Sequence, residues 1–136
     1  MSEYKGKLLS GLFTKAKNVI TSNGKDVDSL LTWKNLSSNQ GTITINFPAS
    51  WDEISVSAMI VVGSSACVGM ITKEQLDDII TASVYNSAYV TIGGGYQDAT
   101  SFYQLIALVT ATQMTLTLYS SGVNISENTQ FDVKYR

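Results

Sequence analysis

Histidine does not occur in the 136 residues, and cysteine occurs once, at Cys67. The commonest general base and the commonest metal ligand are therefore missing, so Ser-His-Asp, Cys-His and histidine-zinc chemistry cannot operate within this chain. A single thiol permits neither an intrachain disulfide nor a cysteine metal cluster. Charge is also scarce, at 15% of residues against 44% apolar, which is enough to bury a core and too apolar for a mostly disordered chain. Nine Lys plus Arg against eleven Asp plus Glu leave a net charge of -2 and a pI near 4.9. That balance argues against nucleic acid as a partner. Long hydrophobic runs are missing too. Ala58 to Val62 and Leu105 to Val109 are five residues each, against the ~20 that a spanning helix needs, so no membrane insertion is expected. The stretch Leu8 to Phe13 is short and broken by Ser10 and Gly11, and is read as no signal peptide; synthesis in a cytoplasm is expected.

What is present fits one domain with a short appendage. Lys5, Lys7, Lys15, Lys17 and Lys25 face Glu3 alone in the first 25 residues. They are interleaved with apolar residues rather than clustered, which favours a solvated leader over a basic arm for an anionic partner. Leu9, Leu12, Ala16 and Val19 have the spacing of a short coiled-coil seam. Gly11 and Thr14 weaken a helix there, and an extended segment clasping neighbouring chains is the competing reading. Residues 1–31 are taken as a linker and oligomerisation segment, and residues 32–136 as the folded domain.

That domain reads as short strands. Thr42 to Phe47 alternates, with Ile43, Ile45 and Phe47 on one face, and Pro48 ends the ladder because it has no N–H to donate. Glu53 to Val62 places Ile54, Val56, Ala58, Ile60 and Val62 inward. Met114, Leu116 and Leu118 alternate with Thr115, Thr117 and Tyr119, and Phe131, Val133 and Tyr135 with Gln130, Asp132 and Lys134. Ala66 to Ile71, Val84 to Ile92 and Phe102 to Thr110 are further strands. The last is apolar on both faces, as befits a strand central in a sandwich or covered by a partner chain. The spacing predicts an all-β antiparallel sandwich or jelly-roll-like fold of about eight strands. One short helix interrupts it, where Thr72-Lys73-Glu74-Gln75 fits a capping box and the segment runs about two turns to Ile80. Gly93-Gly94-Gly95, Asn39-Gln40-Gly41 and Ser120-Ser121-Gly122 are expected to be turns or loops.

The order of parts resembles the distal domains of phage and prophage tail fibres. A leader Thr14-Lys15-Ala16-Lys17-Asn18-Val19-Ile20 precedes an Asn-Gly turn and Asp26-Val27-Asp28-Ser29-Leu30-Leu31. A strand ending Ile45-Asn46-Phe47-Pro48 is followed by Ala49-Ser50-Trp51-Asp52-Glu53-Ile54. The chain closes on Phe131-Asp132-Val133-Lys134-Tyr135-Arg136. These pieces lie at both ends and in an early portion of the chain. The resemblance implies a homotrimeric virion protein, a host-attachment tip that binds a bacterial surface glycan or wall polymer without catalysis and joins upstream fibre or baseplate proteins. It supplies no binding motif. No cofactor and no metal are expected. The alternatives are a structural virion protein that binds only other virion proteins, and a free-standing carbohydrate-binding module.

Sugar recognition uses exposed aromatic faces beside amides or carboxylates. Tyr96, Gln97 and Asp98, after the three glycines, form one candidate cluster; an ordinary loop tip is the plainer reading. Tyr85, Asn86 and Tyr89 form the second, with Tyr85 and Tyr89 on one strand face around Ser87; a wet face or a subunit contact is the plainer reading there. Trp33 and Trp51 are read as packing anchors and Cys67 as a buried thiol. Asp77 and Asp78 adjoin on the helix and point apart, as a solvated face rather than a metal site. Phosphate-loop and dinucleotide spacings are absent around Gly93-Gly94-Gly95.

Overall fold

A computed structural model describes residues 32–61, 66–96 and 98–136. The leader read at residues 1–31 lies outside the described residues, as do Val62 and Gln97. The elements are β1 (Lys34–Gln40), β2 (Ile43–Asn46), β3 (Glu53–Ile60), β4 (Ala66–Thr72), α1 (Lys73–Ala82), β5 (Ser87–Tyr96), β6 (Phe102–Thr110), β7 (Gln113–Ser120), β8 (Val123–Asn124) and β9 (Thr129–Tyr135). A single 3-10 turn, Ser126–Asn128, leads into β9. The strands form one antiparallel sheet in the order β1-β9-β3-β4-β5-β6-β7-β2, with β8 on β7. The expected all-β class is the observed one, a curled, sandwich-like sheet with one α-helix among the described residues.

Two seams make the sheet curl. β1 and β2 stand at opposite ends of the strand order, yet only Gly41 and Thr42 separate them in sequence. A single bent strand therefore supplies both edges, pairing β9 before the bend and β7 after it. Gly41 takes φ +90 at the bend, which glycine adopts freely, and its N–H donates to the Thr129 carbonyl at 3.0 Å. The second seam joins β4 to β5. Its register holds one pair, Gly69 with Gly93, whereas β3 with β4 shares seven. The halves β1-β9-β3-β4 and β5-β6-β7-β2 fold towards each other across these seams.

Alternation fills the space between the halves. Ile54, Val56 and Ala58 from β3, Leu105, Ala107 and Val109 from β6, Met114, Leu116 and Leu118 from β7, and Phe131 and Val133 from β9 are all buried. Each set is spaced by two residues, so every other side chain meets the core. Phe47 and Trp51 follow β2, where Pro48 bars the ladder; their rings lie 4.9 Å apart and Trp51 is buried. Trp33 lies under the Arg136 guanidinium, 4.4 Å away. Cys67 is buried, and burial pushes its thiol up from the ordinary value. Ser121 and Gly122 both take positive φ, +47 and +84, and close the β7–β8 hairpin between the paired Ser120 and Val123. This is the arrangement a type I′ turn requires.

The capping box forms as read. Gln75 N–H donates to Thr72 Oγ1 at 3.1 Å and Thr72 N–H donates to Gln75 Oε1 at 3.0 Å. The helix runs ten residues, to Ala82, rather than two turns. Leu76 is its buried residue, with Ile79 and Ile80 half-buried against the core. Asp77 and Asp78 are exposed, and Lys73 Nζ donates to Asp77 at 2.5 Å.

Three local expectations are corrected. Gly93-Gly94-Gly95 is not a loop but lies inside β5. Asn39 and Gln40 belong to β1, leaving the bend to Gly41 and Thr42. Val84, Tyr85 and Asn86 precede β5 in a turn, with Asn86 at φ +56, so Tyr85 and Tyr89 do not share a strand face. The turn is held by Ser83, whose Oγ donates to the Ser87 carbonyl at 2.6 Å and accepts from Tyr85 N–H at 3.3 Å. Local hydroxyl-to-backbone bonds of this kind compete with the ladder, and the sequence pattern of alternating tyrosines does not register them.

Candidate functional site

The outer face of β5, β6, β7 and β2 has an unusual composition. Between Asp78 and Glu127 the only charged residue is Asp98, and β2 has none. The whole outer face of that half is therefore uncharged. Cross-strand register sorts its side chains into rows: Tyr89, Leu108, Thr115 and Thr44, then Thr91, Ile106 and Thr117. Thr44 and Thr115 share a hydroxyl–hydroxyl bond of 2.7 Å. A third row is Gly94, Gln104, Tyr119 and Asn124, and a fourth is Tyr96 with Phe102.

Tyr96 belongs to this face because of a bulge. Thr91 pairs with Ile106 and Gly93 with Leu105, so Ile92 is an extra residue in β5. One extra residue inverts the alternation. Without it Tyr96 would share a face with the half-buried Val90; with it Tyr96 pairs with Phe102 and points outward with Tyr89. Gly95 then pairs with the buried Tyr103. Tyr96 is 84% exposed and Phe102 40%. Directly paired side chains have Cβ atoms about 5 Å apart, and successive outward residues along a strand are about 7 Å apart. Tyr96, Phe102, Gln104 and Tyr119 thus form one patch roughly 10 Å across, with the Gly94 backbone as a flat floor beside Gln104.

The other sequence candidates are dispersed. Asp98 begins the β5–β6 turn, and its Oδ1 accepts from Thr100 N–H at 2.8 Å, Thr100 Oγ1 at 2.9 Å and Ser101 N–H at 2.8 Å. It holds its own loop instead of aiming at a ligand. Gln97 lies outside the described residues. Tyr85 and Asn86 are exposed at the far end of β5, about 30 Å from Tyr96 at the rise of an extended strand. Tyr89, also exposed, stands between them on the outer face. Phe102, Gln104 and Tyr119 are the residues that sequence reasoning missed. Their signal is the alternation of Phe102 and Gln104 in a strand otherwise apolar on both faces; Tyr119 joins them only through strand register.

The bonds to Asp98 make a prediction. The Thr100 N–H, then its hydroxyl, then the Ser101 N–H hold the Asp98 carboxyl below its ordinary value. These bonds favour the charged form, so their contribution is present above the ordinary aspartate range and is lost as pH falls through the lowered folded value. In an NMR titration the Thr100 and Ser101 amides are expected to shift with a common midpoint below that of an unperturbed aspartate. A midpoint at the ordinary value would show that the loop is not held by this side chain.

Among the described residues no group of three or more Cys, Asp or Glu is placed to hold a metal ion, and no helix is long and apolar enough to cross a membrane. Comparison with protein families, curated proteins and solved structures finds no match to this chain.

Proposed function

We propose that this chain is a non-catalytic attachment domain of the tail-fibre type, which holds a bacterial surface glycan or wall polymer on the aromatic end of its uncharged face. The observation that carries the reading is the patch of Tyr96, Phe102, Gln104 and Tyr119 assembled by the bulge at Ile92. Aromatic rings stack on the C–H faces of a sugar ring, and the Gln104 amide offers both a donor and an acceptor for its hydroxyls. With no ionised side chain on the face, a neutral saccharide can dock without stripping water from a charge. The proposed unit is a homotrimer joined to upstream fibre or baseplate proteins. Its self-contact is assigned to the other half of the sheet, where Met59 and Val68 are exposed on β3 and β4; exposed apolar surface of this kind marks contacts between proteins.

The test is binding of the purified full chain to whole bacterial cells, with isolated wall polysaccharides as competitors and mass measured by light scattering. Tyr96→Ala is expected to weaken binding about five- to tenfold, the worth of one stacked ring. Binding that ignores the polysaccharides, or that survives Tyr96→Ala unchanged, would sink the saccharide reading and favour a virion protein that contacts only other virion proteins. A monomeric mass would remove the trimer.

A further inference from the structure

Beyond the single Gly69–Gly93 pair, β4 and β5 part towards Thr72 and Ser87, and α1 drops into the gap between them. Leu76 reaches the core, but a helix is about 10 Å wide with its side chains and adjacent strands are about 4.8 Å apart, so it cannot fill the opening flush. A cleft of about 460 Å³ remains on the outside, between Met70 on β4, Val90 and Ile92 on β5, and Gln75, Asp78 and Ile79 on α1. Ligand pockets commonly fall in this size range. Its strand walls are aliphatic, and Ile79, Val90 and Ile92 are each only half-buried while packing on the core. Its two strongly polar side chains both lie on the helix rim. Gln75 Oε1 is committed to Thr72 N–H, which leaves the amide N–H groups to donate. Asp78 is the one charged residue of the lining.

We propose that this cleft binds a small ligand carrying a protonated amine on a short aliphatic body. The body lies against Ile79, Val90 and Ile92 under the Met70 side chain, and the ammonium meets the Asp78 carboxylate. A carboxylate or phosphate head is disfavoured, because it would face Asp78 with Glu74 on the same helix and the Lys73 ammonium already donates to Asp77. This site is distinct from the proposed saccharide patch, since none of Tyr96, Phe102, Gln104 and Tyr119 lines the cleft.

Titration of the isotope-labelled full chain with hexylammonium, hexanol and hexanoate, followed by NMR, tests the assignment. Hexylammonium and hexanol are expected to shift the amides of Ile79 and of Val90 to Ile92. At low salt hexylammonium is expected to bind two- to fivefold tighter than hexanol, about what an exposed ion pair contributes, and hexanoate weakest of the three. Asp78→Asn should abolish the advantage of the amine and leave hexanol binding as it was. Thr91→Trp, a change at an exposed position on the cleft mouth, should block both ligands, and Tyr96→Ala should affect neither. Shifts that map elsewhere, an absence of binding, or an amine preference that persists in Asp78→Asn would overturn the proposal. The saccharide experiment would be unaffected by any of these results.

Discussion

Gly93→Ala is expected to destabilise the fold by more than about 3 kcal/mol, above the usual cost of overpacking. A Cβ built at Gly93 would stand 2.3 Å from the Val68 carbonyl oxygen, 2.8 Å from Gly69 Cα and 2.9 Å from the Val68 carbonyl carbon. All three are backbone atoms, so no rotamer change relieves the contact. β4 cannot retreat cheaply, because its other edge is bonded to β3 over seven register pairs, and β5 is tied to β6 on its far side. The seam itself must open, taking the seat of α1 with it. Gly95→Ala is the control two residues away, where an added Cβ meets nothing within 4 Å; it is expected to change stability by about 0.5 kcal/mol or less. Urea denaturation of the two variants measures the difference. A Gly93→Ala chain within about 1 kcal/mol of the unsubstituted one would mean that the seam is not the tight joint described.

Phe131→Ala is expected to cost about 3 to 5 kcal/mol. Phe131 is fully buried on β9, which lies between β1 and β3. Its cross-strand partners there are Asn39 and the small Ala58. Ala58 leaves the space that the ring fills, between Val56 and Ile60 on the same face of β3. Domains of this size are stable by roughly 5 to 15 kcal/mol in total, so the loss is a large share. Phe131→Leu, which keeps most of the volume, should cost clearly less. The check is the urea midpoint at an unchanged slope; equal effects of Ala and Leu would show that the ring does not fill a closed space.

Much of this was legible in the residues. Ile43 with Ile45, Ile54 with Val56 and Ala58, and Met114 with Leu116 and Leu118 are inward as alternation requires, because the pleat sends every second side chain to the core. Thr72 and Gln75 announced the helix start, since a capping box is made by residues three apart and needs no distant partner. The patch was legible only in part. Tyr96 is an exposed aromatic as expected, but Asp98 is occupied by its own loop, and Tyr85 with Asn86 stands at the far end of the strand. The glycine run was misread because a glycine that relieves a turn and a glycine that lets two backbones touch look alike along the chain; Val68 supplies the reason for Gly93 from 25 residues away.

By itself, the order of residues determined the strands other than β1 and β8, the buried faces of β2, β3, β7 and β9, the helix start and the scarcity of charge between Asp78 and Glu127, because each of these follows from periods of two to four residues and from composition. Which strands pair was decided by the tertiary structure. That pairing made Gly41 a bend shared by two edges, made Ile92 a bulge and put Tyr96 beside Phe102. The reason is geometric: register and seam closure depend on backbone contacts between segments far apart in sequence, and a local pattern does not encode the distance at which they meet.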